Sequence, residues 1–332
     1  MKTTRLAWAS VMAAGAMAAA VVLPVAAQSP SAPAASALTA PGKNITLMVG
    51  VKGDPFYVSM ECGAREAAAA AGVNLDVQGP DKFDATLQNP MLDAVAASAP
   101  DALLVAPNDR TASAGPLANI QNGGTKVVLV DTIVDDPTIG VSRIATDNVL
   151  GGEKAAEALQ TLGLTSGAKV LAISTDPGVS SVDARIEGFN RKAAEYGYTL
   201  VSETQYSHNS AEEAAKVISA ALAADPDLAG VFAANLFTAQ GVATGVKQAG
   251  ATNVKVVGFD AGPDQVKQLE AGDVQALVAQ QPYTIGLQGI EQAVAALNGA
   301  PVTAEIQTPS VVVTQDNLAD AEVAKYLYRS GC

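Results

Sequence analysis

Tryptophan is all but missing from this chain of 332 residues: the one example, Trp8, lies near its start. Histidine is as scarce. His208 is the only one, and its sequence neighbours supply no catalytic arrangement. Cysteine occurs twice, at Cys62 and Cys332, too far apart for zinc-like spacing, and no Walker loop or G-x-G-x-x-G is present. No cofactor or metal is therefore expected. Positive charge is also short, with 20 Lys and Arg against 33 Asp and Glu. Such an acidic balance disfavours nucleic acid and anionic membrane surfaces as partners. Long apolar runs are absent after the first residues, so no internal segment reads as a membrane span.

What the chain does have begins with an export signal. Lys2 and Arg5 form a short positive region, Trp8 to Leu23 is mostly apolar and uncharged, and Pro24-Val25-Ala26-Ala27 offers small residues before Gln28. This reads as a signal peptide, residues 1–27, cleaved after Ala27; the alternative is an uncleaved anchor. No cysteine stands at the cut, so lipid attachment is not expected. In a bacterium with an outer membrane the product is periplasmic and soluble. Removing Lys2 and Arg5 leaves 18 basic against 33 acidic side chains, a net charge of about −15. Residues 28–43 are rich in Ala, Pro and Ser and read as a flexible lead-in. About 290 residues remain, enough for two lobes at roughly 100–200 residues per domain. Export permits a disulfide between Cys62 and Cys332. It would clip the C-terminal tail to the first lobe and spare the chain an exposed terminal thiol. The alternative is two free thiols.

Short β-branched runs alternate with Ala-rich helical periods. The runs are Ile45–Val51, Val73–Val77, Ala102–Val105, Lys126–Val130, Lys169–Ser174, Thr199–Ser202, Gly230–Ala233, Val254–Gly258 and Val274–Ala279. Two late strands follow, Val302–Gln307 and Val311–Thr314. The alternation predicts an α/β fold with parallel, doubly wound sheets. The apolar runs are continuous, as for strands covered on both faces. There are two such series, one ending near Ile144–Asn148 and one starting near Gly167, each the size of a Rossmann-like lobe.

The most informative stretch is Ile45 to Met60. A buried strand breaks at Lys52-Gly53-Asp54-Pro55, and a helix starts with Phe56 and Tyr57 in its first turn. Ligands of open α/β sheets bind at such carboxyl ends. A cation, a carboxylate and two rings suit a small polyhydroxylated ligand. The plainer account makes Asp54 an N-cap and Pro55 the first helical residue. Other candidates fall at later strand ends: Asn108 and Asp109, Asp131 and Thr132, Arg185, Asn209, Asn235, Asp260 and Gln280. Each Asp has the alternative of simply capping a helix, and Arg185 that of a solvated helix face. Their joint placement at strand ends of two lobes is what points to a ligand.

Asp54-Pro55-Phe56-Tyr57 with Gly63-Ala64, Thr146-Asp147-Asn148 with Gly151-Gly152, Arg185-Ile186-Glu187-Gly188-Phe189, Val231 to Asn235, Val257 to Asp260 and Ala279-Gln280 together resemble one family. It is that of the type I periplasmic sugar-binding proteins of ABC importers, in the ribose/galactose-binding branch, and the resemblance runs from Lys43 to about Thr314. It implies two Rossmann-like lobes joined by a three-segment hinge near Asp147, Gln281 and Ser310. The lobes would be 44–147 with 281–310, and 148–280 with 311–332. It implies a sugar held between the lobes, closure on binding, delivery to an inner-membrane permease and a monomer. The family's contacts map onto Asp54, Phe56, Tyr57, Asp131, Arg185, Asn209, Asn235, Asp260 and Gln280. Carboxylates accept, Arg donates as a planar fork, and Asn and Gln do both. Arg185 near Asp131 or Asp260 would balance the buried charge.

The chain departs from the ribose-binding pattern. Thr132 stands where that pattern has Arg, Leu236-Phe237 replaces an acidic pair, Asn209 replaces an aromatic residue, and Lys52 is added at the mouth. Ribose itself is therefore in doubt, and another pentose, a hexose, a polyol or a sugar acid remains open. Phe237 is the candidate for the missing ring and Lys52 for tuning ligand choice. A periplasmic chemosensory receptor of the same fold is the main rival reading. A carbohydrate-active enzyme would need a carboxylate pair roughly 5–9.5 Å apart across the bond. A lactose-repressor-like regulator would need an N-terminal helix-turn-helix and a basic face, where this chain has an export signal and acidity.

Overall fold

The computed structural model of the protein describes residues 38–332. The expected signal peptide and residues 28–37 of the lead-in lie outside the described residues. In chain order the elements are β1 Asn44–Met48, α1 Pro55–Ala71, β2 Asn74–Gln78, α2 Ala85–Ser98, β3 Ala102–Val105, α3 Ala114–Asn122, β4 Lys126–Val130 and β5 Ser142–Thr146. Then come α4 Asn148–Thr161, β6 Lys169–Ser174, α5 Ser180–Glu195, β7 Thr199–Leu200, β8 Gln205–Tyr206, α6 Ala211–Ala224, β9 Leu228–Ala233 and α7 Leu236–Gln248. The last are β10 Lys255–Phe259, α8 Pro263–Glu270, β11 Ala276–Ala279, α9 Pro282–Leu297, β12 Glu305–Thr308, β13 Val311–Val313 and α10 Ala321–Ala324.

These form two sheets. The first runs β12-β5-β4-β3-β1-β2 and the second β13-β11-β10-β9-β6-β7, with β8 beside β6. All pairings are parallel except β11 with β13. The continuous apolar runs are the reason: β3, Ala-Leu-Leu-Val, is buried at every position, and a strand covered on both faces needs helices on both sides. Strand order reverses between β1 and β3 in the first sheet and between β6 and β9 in the second. At both points neighbouring connections leave a crevice at the carboxyl ends, where such sheets bind ligands.

The two late strands do not pair with each other. β12 joins β5 and β13 joins β11, so the chain crosses between sheets after Thr146, after Ala279 and between Thr308 and Val311. At two crossings a helix begins at once: Asp147 caps α4 through Leu150 N–H at 3.0 Å, and Pro282 opens α9.

Glycines set the helix spacing near these crossings. A Cβ on Gly152 would stand 1.9 Å from the Arg185 carbonyl oxygen, and one on Gly188 1.9 Å from that of Val149. Only glycine lets α4 and α5 approach this closely, and that approach fixes where Arg185 leaves α5. Gly63 and Gly286 do the same for α1 and α9.

Cys62 and Cys332 form a disulfide with Cα atoms 5.3 Å apart, across 270 residues of sequence. Thiol titration of the denatured, unreduced protein should find no reactive thiol, and two after reduction. Two before reduction would refute the bridge.

Candidate ligand-binding cleft

The cleft between the two lobes is lined by residues from the strand ends of both sheets. It holds about 400 Å³ of unfilled space counted out to its open mouth. From the first lobe come Asp54, Phe56, Tyr57, Phe83 and Asp131. From the second come Thr175, Arg185, Asn209, Asn235, Asp260 and Gln280, with Val179, Ser181 and Val182 on one side.

Asp54 is the N-cap of α1 and accepts the Phe56 N–H at 2.8 Å. Its cap and ligand-facing readings are thus compatible: one oxygen caps, and the other has no partner among the described residues. Asp131 accepts from Tyr57 Oη at 2.8 Å. Asp260 takes two donors on one oxygen, Gln280 Nε2 at 2.6 Å and Tyr328 Oη at 2.7 Å. Each of the three carboxylates therefore keeps one oxygen unclaimed by the described residues. Asp131 and Asp260 occupy equivalent places at the ends of β4 and β10, both with left-handed backbone, φ 65° and 77°. Their N–H groups reach the next strand, at Ile144 and Val278 carbonyls, both at 2.8 Å. A non-glycine residue costs about 1–3 kcal/mol in that region, so the fold spends stability to aim these carboxylates.

Burial raises the Asp54 pKa to about 7, with the neighbouring Asp260 charge adding to the shift. Burial likewise raises Asp131 to about 6, against the lowering effect of Arg185 and of the Tyr57 hydrogen bond. The Tyr57 phenol is pushed well above its usual value, first by burial and then by Asp131.

Arg185 is only 3% exposed. Two neutral acceptors anchor it: Nε donates to Asn148 Oδ1 at 2.8 Å and Nη1 to the Ala234 carbonyl at 2.9 Å. Its carbon Cζ lies 3.8 Å from the centre of the Phe259 ring. That ring belongs to a pedestal in which Phe232 packs on Phe259 and stacks on Phe189 at 4.8 Å. Neutral acceptors and an aromatic face hold the guanidinium in place while its charge stays available to the cleft. Its charge still acts on the carboxylates, opposing the rise at Asp131 and at Asp54, and the short α4–α5 approach directs its side chain along Asn148.

Asn235 caps α7 through Thr238 and donates to Asn209 Oδ1 at 2.6 Å. Gln280 is 1% exposed. It bridges the lobes, accepting Thr146 Oγ1 at 2.6 Å while donating to Asp260.

Four of the expected site residues stand outside the cleft. Lys52 lies in an outer groove and pairs with exposed Asp81 at 3.1 Å. Asn108 also faces that groove, its amide donating to the Gly50 carbonyl at 2.9 Å and bracing the β1 turn. Thr132 is buried against the Pro107 carbonyl at 2.8 Å. Phe237 lines the outer groove rather than the cleft. The neighbouring Asp109 caps its own turn, accepting Thr111 and Ala112 N–H groups.

Phe83 brings a third ring to the cleft, and it also lines the outer groove beside Phe237. It packs against core clusters of both lobes and lines the cleft with Asn209, in whose place the related pattern has an aromatic residue. Thr175 was also missed. Its Oγ1 is buried with no partner among the described residues. The signal for Phe83 was an aromatic residue in the polar turn Asp81-Lys82-Phe83-Asp84; Thr175 gave none beyond its position after β6.

Opposite the hinge the lobes touch. Arg110 N–H donates to the Gly178 carbonyl at 3.0 Å, Ile133 N–H to Ser180 Oγ at 2.8 Å, and Arg110 meets Asp183 at 3.6 Å. Residues 45–301 match the periplasmic binding protein domain family. The chain belongs to that family. The protein is also 32% identical to the ribose import binding protein of Escherichia coli over 265 residues, 79% of this chain and 87% of that one. To the E. coli D-allose-binding periplasmic protein it is 28% identical, covering 79% and 89%. Among solved structures, an ABC transporter solute-binding protein of Agrobacterium vitis with bound α-D-tagatopyranose superposes with a TM-score of 0.83 at 41% identity, covering 86% and 99%. A second A. vitis solute-binding protein, with D-fucose, gives 0.82 at 29%, covering 86% and 100%. The type I two-lobed fold is thereby shown, and the family is one of transport-associated binding proteins, not enzymes. Among the described residues no helix is long and apolar enough to cross a membrane.

Proposed function

We propose that this protein is the soluble, periplasmic, monomeric binding component of an ABC importer, and that it delivers a neutral monosaccharide to an inner-membrane permease. One observation carries the reading. Three buried carboxylates, each with an unclaimed oxygen, converge with a single anchored guanidinium beneath Phe56, Tyr57 and Phe83. Free acceptors outnumber donors, which suits hydroxyls. Rings suit the apolar C–H face of a pyranose or furanose. Three acids against one Arg oppose a ligand carboxylate, so a sugar acid is disfavoured against its neutral parent. Tagatose and fucose, held by the two A. vitis proteins, are neutral sugars of this kind.

A thermal-shift screen of aldoses, ketoses, polyols and uronic acids tests this. A ligand at 1,000 times its dissociation constant adds about 4 kcal/mol of stability, so a true ligand raises Tm by several degrees. A neutral sugar should do so and its uronic acid should not. No shift with any neutral sugar or polyol would refute the reading.

The ring assignment makes its own prediction. Phe83→Ala should weaken binding of the sugar found about tenfold, by loss of ring contact and of the lobe-bridging surface. Phe237→Ala should change it less than about twofold, being outside the cleft. Calorimetric titration compares them; the reverse order would return the third ring to Phe237.

A further inference from the structure

The last residues of the chain join the two lobes a fourth time. After β13 the tail packs on the second lobe, with Leu318, Val323 and Tyr326 against its core. It then changes sides. Tyr328 is buried in the first lobe's core cluster, its ring edge-on to Phe56 with centroids 5.8 Å apart. Arg329 donates its backbone N–H to Ser59 Oγ at 2.7 Å. Cys332 is bonded to Cys62 on α1. The crossing is thus covalently fastened on the first lobe, whereas the three hinge segments are bare chain.

Tyr328 is where this strap meets the cleft. It does not line the cavity, but both hydrogen bonds of its phenol go to residues that do. Its Oη donates to Asp260 Oδ1 at 2.7 Å and accepts the Gln280 N–H at 3.3 Å, and its own N–H donates to the Ala261 carbonyl at 3.0 Å. Asp260 sits at φ 77°, a conformation a non-glycine residue keeps only when its surroundings hold it. Asp131, its counterpart in the first lobe, is held by Tyr57 from α1, inside its own lobe. Asp260 is held by Gln280 and, in addition, by a tyrosine delivered from the chain end.

We propose that the tail is a disulfide-fastened positioning strap: Cys62–Cys332 holds Tyr328 between the lobes, and Tyr328 fixes Asp260 and Gln280 in the orientation that receives the ligand. What the fixed carboxylate serves rests on the sugar-binding reading; the strap itself does not. Tyr328 is therefore a positioning residue, and its phenol, rather than its ring alone, is the active part.

The test uses the full exported chain as wild type, Tyr328→Phe, Cys332→Ser and the double variant, well below their melting temperatures. Two quantities are read: calorimetric affinity for D-tagatose, D-ribose and D-allose, and amide hydrogen exchange of peptides spanning Asp260 and Gln280. Tyr328→Phe keeps the ring and should preserve the fold, yet speed exchange at those two amides and weaken sugar binding about tenfold or more, as for loss of a hydrogen bond to a charged group. Cys332→Ser should do the same. So should wild type treated with dithiothreitol, which closes to its cyclic disulfide as two protein thiols form. Because both changes act through one phenol, the double variant should bind no more weakly than Tyr328→Phe alone. Wild-type exchange and affinity in Tyr328→Phe would overturn the proposal. So would losses that multiply in the double variant, which would make the disulfide a general clip. If none of the three sugars binds wild type, the exchange result still decides the strap, while the choice of ligand fails separately.

Discussion

Replacing Arg185 with alanine is expected to weaken sugar binding by about 2–4 kcal/mol, roughly 30- to 1,000-fold in dissociation constant. The guanidinium is buried, anchored by Asn148 and Ala234, and seated on Phe259. Its removal leaves Asn148 Oδ1 and the Ala234 carbonyl without a donor, and leaves Asp54, Asp131 and Asp260 with no cation in the cleft. Both losses raise the cost of the closed, liganded state. Arg185→Lys should recover only part, because an ammonium cannot span two anchors and still face the cleft as a planar fork. Calorimetric titration, with circular dichroism to confirm folding, reads the effect. A folded alanine variant within twofold of wild-type affinity would remove Arg185 from the site.

The second large effect is on pH. Asp54 and Asp131 have pKa values raised to about 7 and about 6 from 3.8 where the two lobes enclose them. The closed form thus binds protons that the solvated carboxylates release, so it is favoured at low pH. It loses stability as pH rises from about 4 through about 7. For Asp54 the full shift corresponds to something on the order of 4 kcal/mol, a ceiling because opening the lobes rehydrates this helix-capping carboxylate only in part. The groups facing it are Asp260, Asp131 and Arg185. Small-angle scattering of the ligand-free protein should therefore show a larger radius at pH 8 than at pH 5. Bound sugar should abolish the difference, since its hydroxyls donate to the ionised oxygens. Asp54→Asn should reduce it. A radius that is constant, or smaller at pH 8, would contradict the burial argument.

Much of this site could be read before any coordinates. Asp54-Pro55 announces a capped helix start, and the continuous apolar runs announce sheets covered on both faces. Strand-end placement then brings Asp54, Asp131, Arg185, Asn235, Asp260 and Gln280 to one cleft. Three kinds of information stayed hidden. Loop residues have no period to betray them, so the sequence did not point to Phe83 or Thr175. Rotamer direction is invisible too. Lys52 and Asn108 sit beside the right turn but line the outer groove, where Lys52 meets Asp81 and the Asn108 amide nitrogen meets the Gly50 carbonyl. Long-range closure is the third: nothing near Tyr328 in sequence says that it meets Asp260, 68 residues earlier. The cysteines marked the tail as a clip, and the structure adds that the clip carries a phenol to the cleft.

The central claim is that the cleft takes a neutral monosaccharide. The one tryptophan, Trp8, precedes the expected cleavage site, so intrinsic fluorescence is a weak reporter and heat is the better one. Calorimetric titration with D-tagatose, D-fucose, D-ribose, D-allose and D-arabinose, beside D-glucuronate and D-galacturonate, is the direct measurement. One neutral sugar should bind at a single site with a dissociation constant of about 1 μM or tighter, near −8 kcal/mol, and the uronates should give no heat of binding. A uronate bound in preference to every neutral sugar, or no binding by any of them, would contradict the account.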